Sequence, residues 1–408
     1  MSGKEFFATR TVSEALDGFA PSRRTPAERV GLADALHRVP SSGVVNPADL
    51  PGFARSTVDG YAVRAADTYG ASEGIPSYLD LVGAVSMGTS AAVPVRPGQT
   101  VEAPTGGVLP EGADAVVMVE HTAKSMSGTV EVVRPVAPGD GLVRADEDVA
   151  AGGPLALAGR RLRAQDLGLL AAAGIVEVEV HARPRVAIVS TGDELVPAST
   201  ARPAPGQVRD ATSWALAALV SEAGGLPDVR GIVPDDPSAL EQTLRAALSS
   251  SDLVVVSAGS SVGARDETAA VVARLGEPGI WCHGLALRPG KPTLLAECDG
   301  VPVIGLPGNP LSALVVFRLV GMPLVQRVGG NATSPRELTT PARLSRQIAS
   351  AAGRLDVVQV RLAGDVAEPL FGMSALLSVL TRADGYLVVP EEVTGIDTGA
   401  EVDVTLYS

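Results

Sequence analysis

The sequence predicts a multidomain α/β protein, with a doubly wound α/β domain flanked by β-rich segments. Three observations predict it. From Pro184 to Val320, short apolar β-branched runs alternate with helical patterns, as in a parallel sheet wound on both faces. Residues 79 to 135 instead break into many short strand-like runs, separated by Pro97-Gly98, Thr105-Gly106-Gly107 and Pro110-Glu111-Gly112. After Gly329-Gly330 the pattern returns to strands, which marks a separate carboxyl-terminal β domain.

The elements follow in order. Val12, Ala15, Leu16 and Phe19 recur at helical spacing, and Ala27 to Leu36 continues as helix after Pro26 at a first-turn position. Pro40 to Pro51 is extended and interrupted by prolines. Ser56, Thr57 and Asp59 form a polar loop before a short strand, Tyr61 to Val63; taken alone, Asp59-Gly60 reads as a turn. Strands are expected at Leu79–Val85, Thr100–Ala103, Ala115–Val119 and Thr129–Val133, and a helix at Leu162–Ala173 closed by Gly174. Arg144 to Asp148 is a charge run of the kind that covers a solvated face. In the α/β region, strands at 186–189, 229–233, 253–256, 293–296 and 301–305 alternate with helices at 212–223, 238–249, 267–275 and 311–320. The last region carries strands at 357–362, 386–389 and 401–406 and a short helix at 376–381.

Composition narrows the function. The 408 residues are 46% hydrophobic and 19% charged, ordinary for a globular protein, with 45 Gly and 31 Pro. A formal charge of −13 argues against non-specific nucleic-acid binding while leaving room for a locally positive site for a small anion. Cys282 and Cys298 form no metal-ligand pattern and read as free thiols. Met1 to Arg10 lacks the apolar core of a signal peptide, and no apolar run of ~18 residues is expected to span a membrane. The expectation is a cytoplasmic protein without membrane or nucleic-acid partners.

The chemistry concentrates between Asp252 and Asp266. A buried strand, Leu253 to Val256, runs into Ser257, Gly259, Ser260, Ser261 and Gly263, and a helix follows. Such a loop presents unpaired N–H groups and a positive helix end to an anion, most often a phosphate. Asp266 either caps that helix or meets a metal ion or substrate hydroxyl. The other loops after strands carry Ser190, Thr191, Asp193, Glu194, Asp210, Asp235, Asp236 and Asn309, and Arg288-Pro289-Gly290-Lys291-Pro292 adds two cations to the same rim. Carboxylates, small hydroxyls and fixed cations together suit a magnesium-assisted site for a phosphorylated ligand. No nucleophile elbow, zinc-protease, P-loop or dinucleotide motif occurs, and His37, His121, His181 and His283 are scattered.

Several motifs together carry a family resemblance. They are Ser56-x-x-Asp59-Gly60-Tyr61-Ala62, Thr105-Gly106 with Leu109 to Val117, Ser190-Thr191-Gly192-Asp193-Glu194-Leu195, and Gly206-Gln207 with Asp210. The others are Ser257-x-Gly259-x-Ser261-x-Gly263-x-x-Asp266, Pro289-Gly290-Lys291-Pro292 and Gly305-Leu306-Pro307-Gly308-Asn309-Pro310-x-Ser312-Ala313. On these the chain resembles the molybdopterin molybdenumtransferases, the MoeA and gephyrin E-domain family, over essentially its whole length. The resemblance implies four parts: an elongated helical and extended domain (1–50 with 141–180), a β-rich insertion (51–140), a MogA-like doubly wound domain (181–328) and a β-barrel-like domain (329–408).

The implied reaction is molybdate insertion into adenylylated molybdopterin, with hydrolysis of the adenylate, release of AMP and a requirement for Mg2+. The implied assembly is a homodimer with the site at the subunit interface, receiving substrate from the preceding adenylyltransferase and passing product to acceptor molybdoenzymes. Carried over residue by residue, the resemblance gives catalytic roles to Asp59, Glu194, Asp266, Arg288 and Lys291, and metal-binding roles to Glu194, Asp235, Asp236 and Asp266. Substrate contacts carry over to Ser56, Thr105, Gly106, Thr191, Gly192, Asp210, Ser257, Gly259, Ser261, Gly263, Pro307, Gly308, Asn309 and Ser312. The sequence departs from the family pattern at Ala54, Arg55, Val58, Ala211-Thr212, Ala258, Gly284, Arg288 and Gly372-Met373-Ser374. The alternative reading is a divergent paralogue that binds molybdopterin or its adenylate without efficient turnover.

Overall fold

The computed structural model describes residues 9–125, 128–258, 262–333 and 337–407, with the side chains of 262–266 outside the description. The chain forms two compact units: Met1–Ser41, Gly159–Leu162 and Glu179–Ser408 make one, and Ser42–Ala158 with Arg163–Val178 make the other.

The core of the first unit follows from alternation inside wholly apolar strands. Its six-stranded sheet runs 226–233, 185–191, 253–257, 301–306, 294–298, 278–283. On one face Val186, Ile188, Leu253, Val255 and Ile304 pack with Leu216, Val220, Phe317 and Val320. On the other, Ala187, Val189, Val254, Val256 and Val303 pack with Leu240, Leu244, Val271 and Val272. Neighbouring residues of one strand thus feed opposite cores, which is what winding on both faces requires. Helix Val12–Gly18, opened by a reciprocal Thr11–Glu14 capping box, adds Val12 and Ala15 to the first core.

Two local expectations are corrected. Only the first four strands are parallel; 294–298 is antiparallel to both neighbours. Asp299 and Gly300, both at positive φ (50° and 85°), turn 294–298 directly into 301–306 as a hairpin. Ala27 to Leu36 is not helical: it forms strand Ala27–Gly31 and the 3-10 turn Leu32–Asp34. Long-range pairing wins over local propensity there, with Ala182 N–H donating to Pro26 O (2.8 Å) and His181 Nδ1 meeting Thr25 O (2.8 Å).

Helix Pro310–Val328 is longer than expected, with a π turn at Phe317–Gly321. By length and composition it is long and apolar enough to cross a membrane (mean hydropathy 1.5), but 67% of its apolar window is buried, as in a core helix.

The carboxyl-terminal strands run 287–288, 355–363, 366–369, 339–344, 401–406, 385–389, and 355–363 also pairs with 385–389. That last pairing closes five strands into a barrel around Leu344, Val360, Leu387 and Val404. The second unit holds another six-stranded sheet, ordered 115–118, 60–63, 99–103, 77–84, 129–132, 122–124. Gly60 is required in it: a Cβ there would overlap the Val117 carbonyl oxygen and sit 2.9 Å from its carbon.

Candidate active site

The parallel strands deliver the expected polar loops to one rim. Ser190 and Ser257 lie in register on adjacent strands, and Ser257 is level with Leu306, just before Pro307-Gly308-Asn309. Asp210 is buried there and both its oxygens are engaged: Ser190 Oγ donates to Oδ2 (2.8 Å) and Ser213 N–H to Oδ1 (3.1 Å). It ties a strand end to the first turn of helix Thr212–Glu222. Thr191 is buried. Gly192 adopts φ +147°, and a Cβ on it would lie 2.5 Å from Glu194 Oε2. The missing side chain at 192 is therefore the space that holds the Glu194 carboxylate.

Across the rim, Asp193 Oδ1 accepts the Asp235 N–H (3.1 Å), and Asp236 Oδ1 caps helix Pro237–Ser250 through Ser238 N–H (2.8 Å). Gly259 and Ser261 lie outside the described residues. Gly263 and Asp266 fall on helix Val262–Val272, with their side chains outside the description. That helix starts earlier than the sequence pattern suggests, so Asp266 stands inside it and is not its N-cap.

The cation loop lies beside this rim: it leads into strand 294–298, whose Leu294 pairs with Gly305 just before Leu306-Pro307, and it shares a cleft with Ser312. Leu287–Arg288 pairs with Leu355-Asp356 as a strand of the carboxyl-terminal sheet. The loop walls a cleft of about 970 Å³, with Arg288, Lys291, Ser312, Arg354, Asp356 and Ser374 among its lining. Asp356 is 3% exposed and holds two guanidinium groups. Arg354 Nε donates to its Oδ1 (2.9 Å) and Arg288 Nη1 to its Oδ2 (3.4 Å). One carboxylate against Arg288, Arg354 and Lys291 leaves an excess of positive charge, which favours an oxyanion. Asn309 Nδ2 donates to Ser374 Oγ (2.9 Å), linking the start of helix Pro310–Val328 to this wall. Ser312, buried one turn on, lines the cleft. The sequence reading missed Arg354 and Asp356, and named Ser374 only within Gly372-Met373-Ser374, as a departure from the family pattern.

In the second unit, Ser56, Asp59, Thr105 and Gly106 do converge. Segments 54–56 and 106–109 are joined by Gly106 N–H to Ser56 O (2.8 Å) and Leu109 N–H to Ala54 O (2.9 Å). Asp59 Oδ1 accepts both the Thr105 N–H (2.8 Å) and its hydroxyl (2.9 Å). Those two bonds, the backbone one first, hold the exposed Asp59 carboxyl below its ordinary pKa, so it is a fixed anion at neutral pH.

Among the described residues no three metal-ligating side chains converge. A site made of protein ligands alone is therefore not built by them. A magnesium ion that takes one or two carboxylates and otherwise binds substrate phosphate and water does not need such a cluster.

Family models match in sequence along the chain: the MoeA N-terminal region (domains I and II) over residues 10–174, a probable molybdopterin-binding domain over 187–327, and the MoeA C-terminal region (domain IV) over 341–407. The chain is 34% identical over 407 residues to molybdopterin molybdenumtransferase 1 of Mycobacterium tuberculosis, covering 93% of this chain and 94% of the relative. It is 30% identical to the Haemophilus influenzae molybdopterin molybdenumtransferase, covering 94% and 95%. A crystal structure titled as the molybdopterin biosynthesis MoeA protein of Pyrococcus horikoshii superposes with a TM-score of 0.84 at 30% identity, covering 98% of this chain and all of that one. The expected fold class stands, and the chain belongs to the MoeA family, the molybdopterin molybdenumtransferases of molybdenum cofactor biosynthesis.

Proposed function

We propose that this chain inserts molybdate into adenylylated molybdopterin, with hydrolysis of the adenylate and release of AMP. The observation that carries the reading is the cleft where Arg288, Lys291 and Arg354 gather around one buried Asp356. A tetrahedral dianion is the ligand such a cluster suits, and guanidinium forks orient its oxygens while Lys291 adds a mobile point charge.

The rim takes the phosphorylated pterin. The loop from Ser257 and the Pro307-Gly308-Asn309 turn supply N–H donors to phosphate oxygens. Glu194 and Asp235 would hold magnesium, which supplies charge neutralisation and polarisation at the phosphate. Asp59, kept ionised by Thr105, orients a donor group on the substrate. In the step itself, water adds to the adenylate phosphorus, the bond from phosphorus to the pterin-side oxygen breaks, and AMP departs. Positioning and electrostatics account for the rate, with no covalent enzyme intermediate.

The protein works as a magnesium-dependent homodimer in the cytoplasm, with its site at the subunit interface. It takes substrate from an adenylyltransferase and gives product to molybdoenzymes; these statements rest on the family resemblance. The test is AMP release by purified protein given adenylylated molybdopterin, molybdate and magnesium. AMP release that needs both molybdate and magnesium, and is lost in Asp59→Ala with the fold intact, supports the reading. Tight ligand binding without AMP release would instead make the chain a binder.

A further inference from the structure

At the end of the α/β sheet opposite the rim lies a second pocket, of about 510 Å³. It is bordered by Pro184, just before strand Arg185–Thr191, and by the last residues of helices Thr212–Glu222 and Pro310–Val328. Its charged lining is mostly basic: Arg38, Arg161 and Arg183 against Glu222 alone, with His37 and His181 beside them. The carboxylate of Glu222 is already paired with Arg318 (3.4 Å), and Arg38 is paired with Glu28.

Neither Arg161 nor Arg183 makes an ion pair with a described residue. Arg161 is fixed by donating Nη2 to Ala223 O (2.8 Å) and lies where a side chain on Gly224 (φ +93°) would stand. Burial first, and the neighbouring Arg183 charge second, lower the Arg161 pKa, as expected for a cation waiting for an anion.

We propose that this pocket binds a phosphorylated sugar-sized molecule, with its phosphate on Arg161 and Arg183. The helix ends offer the competing account, since cations also neutralise helix carboxyl termini; Arg161 does so at Ala223. That account explains Arg161 but not Arg183. The size of the pocket favours a sugar phosphate or nucleoside monophosphate over a bare phosphate ion.

The test uses the full chain, titrated calorimetrically with ribose 5-phosphate and with inorganic phosphate, alongside amide hydrogen exchange. Because the active-site cleft is also cationic, the titration is repeated on an Arg288→Ala/Lys291→Ala double variant. Ribose 5-phosphate is expected to bind both proteins and to slow exchange in segments 36–39 and 181–184. Arg183→Glu, at an exposed position, should weaken binding roughly tenfold or more without changing the melting temperature. Binding that disappears with the cleft double variant, no protection in those two segments, or an unchanged Kd in Arg183→Glu would each overturn the proposal.

Discussion

Replacing Asp356 with Asn separates two opposite effects in the cation cleft. Asp356 is 3% exposed and receives Arg354 at 2.9 Å and Arg288 at 3.4 Å. Its charge repels a bound oxyanion: a dianion about 8 Å away in a water-like dielectric feels about 1 kcal/mol. Its hydrogen bonds also hold two long side chains, each with up to about 2 kcal/mol of rotamer entropy to lose on binding. The Arg288 side chain is 60% exposed and that of Arg354 37%, so about half of that ordering is a fair share. The net is about 1 kcal/mol against the variant, or about a fivefold rise in half-saturating molybdate.

Stability should fall by about 1–2 kcal/mol, since Asn keeps one acceptor but loses the charge under both arginines. The assay is AMP release against molybdate concentration, with a thermal melt on the same sample. A lower half-saturating molybdate would refute the reasoning, because charge would then outweigh positioning. An unchanged value would mean that the arginines do not touch the anion.

Three further perturbations test other parts. Gly60→Ala drives a methyl group into the Val117 carbonyl, within backbone that cannot yield, and should cost the second unit about 3 kcal/mol or more; a wild-type melt and proteolysis pattern would contradict this. Gly192→Ala meets both the φ of +147° and the Glu194 carboxylate at 2.5 Å. It should lower AMP release at least tenfold while shifting the melt by only a few degrees, and normal turnover would remove Glu194 from the site. Burial raises the Tyr407 pKa to about 12 and the Tyr386 pKa further still. These phenols keep their protons in the fold after an unfolded chain would release them near pH 10. Their stabilising contribution is therefore full below about pH 10 and is lost as pH rises toward 12. Chemical-denaturation midpoints measured from pH 9 to pH 12 should fall, and fall less in Tyr407→Phe.

How much was legible in the sequence depends on how local the signal was. The alternation of strand and helix from Pro184 onward is written in apolar runs, and 186–189 and 253–256 appear as strands inside the two sheet cores. The Asp299-Gly300 hairpin was equally local, an Asp-Gly pair between apolar runs, and the rhythm of the parallel strands obscured it. Ala27–Gly31 was not legible, because its strand depends on partners about 150 residues away.

In the candidate site, the motifs located the rim and the Asp59–Thr105 pair. Arg288 and Lys291 were legible as rim cations from their motif, whereas the residues that meet them in the cleft, Arg354 and Asp356, lie about 70 residues further on at the start of a barrel strand. A lone Asp between β residues carries no sign that two arginines will close on it.

The split order of the first unit bears on its birth at the ribosome. Thr25 bonds to Val328 across 303 residues, and Arg10 N–H to Gly284 O across almost as many. At about 5–20 residues per second, Thr25 waits roughly 15–60 s for its partner to be made. The second unit, encoded almost entirely between those points, is complete long before then. For most of that interval Val12, Ala15 and Phe19, later buried in the first core, lack late-made partners such as Trp281 and Phe317. This opening segment therefore stays exposed while the chain grows, a natural client for a holding chaperone, and slower translation would lengthen that exposure in proportion.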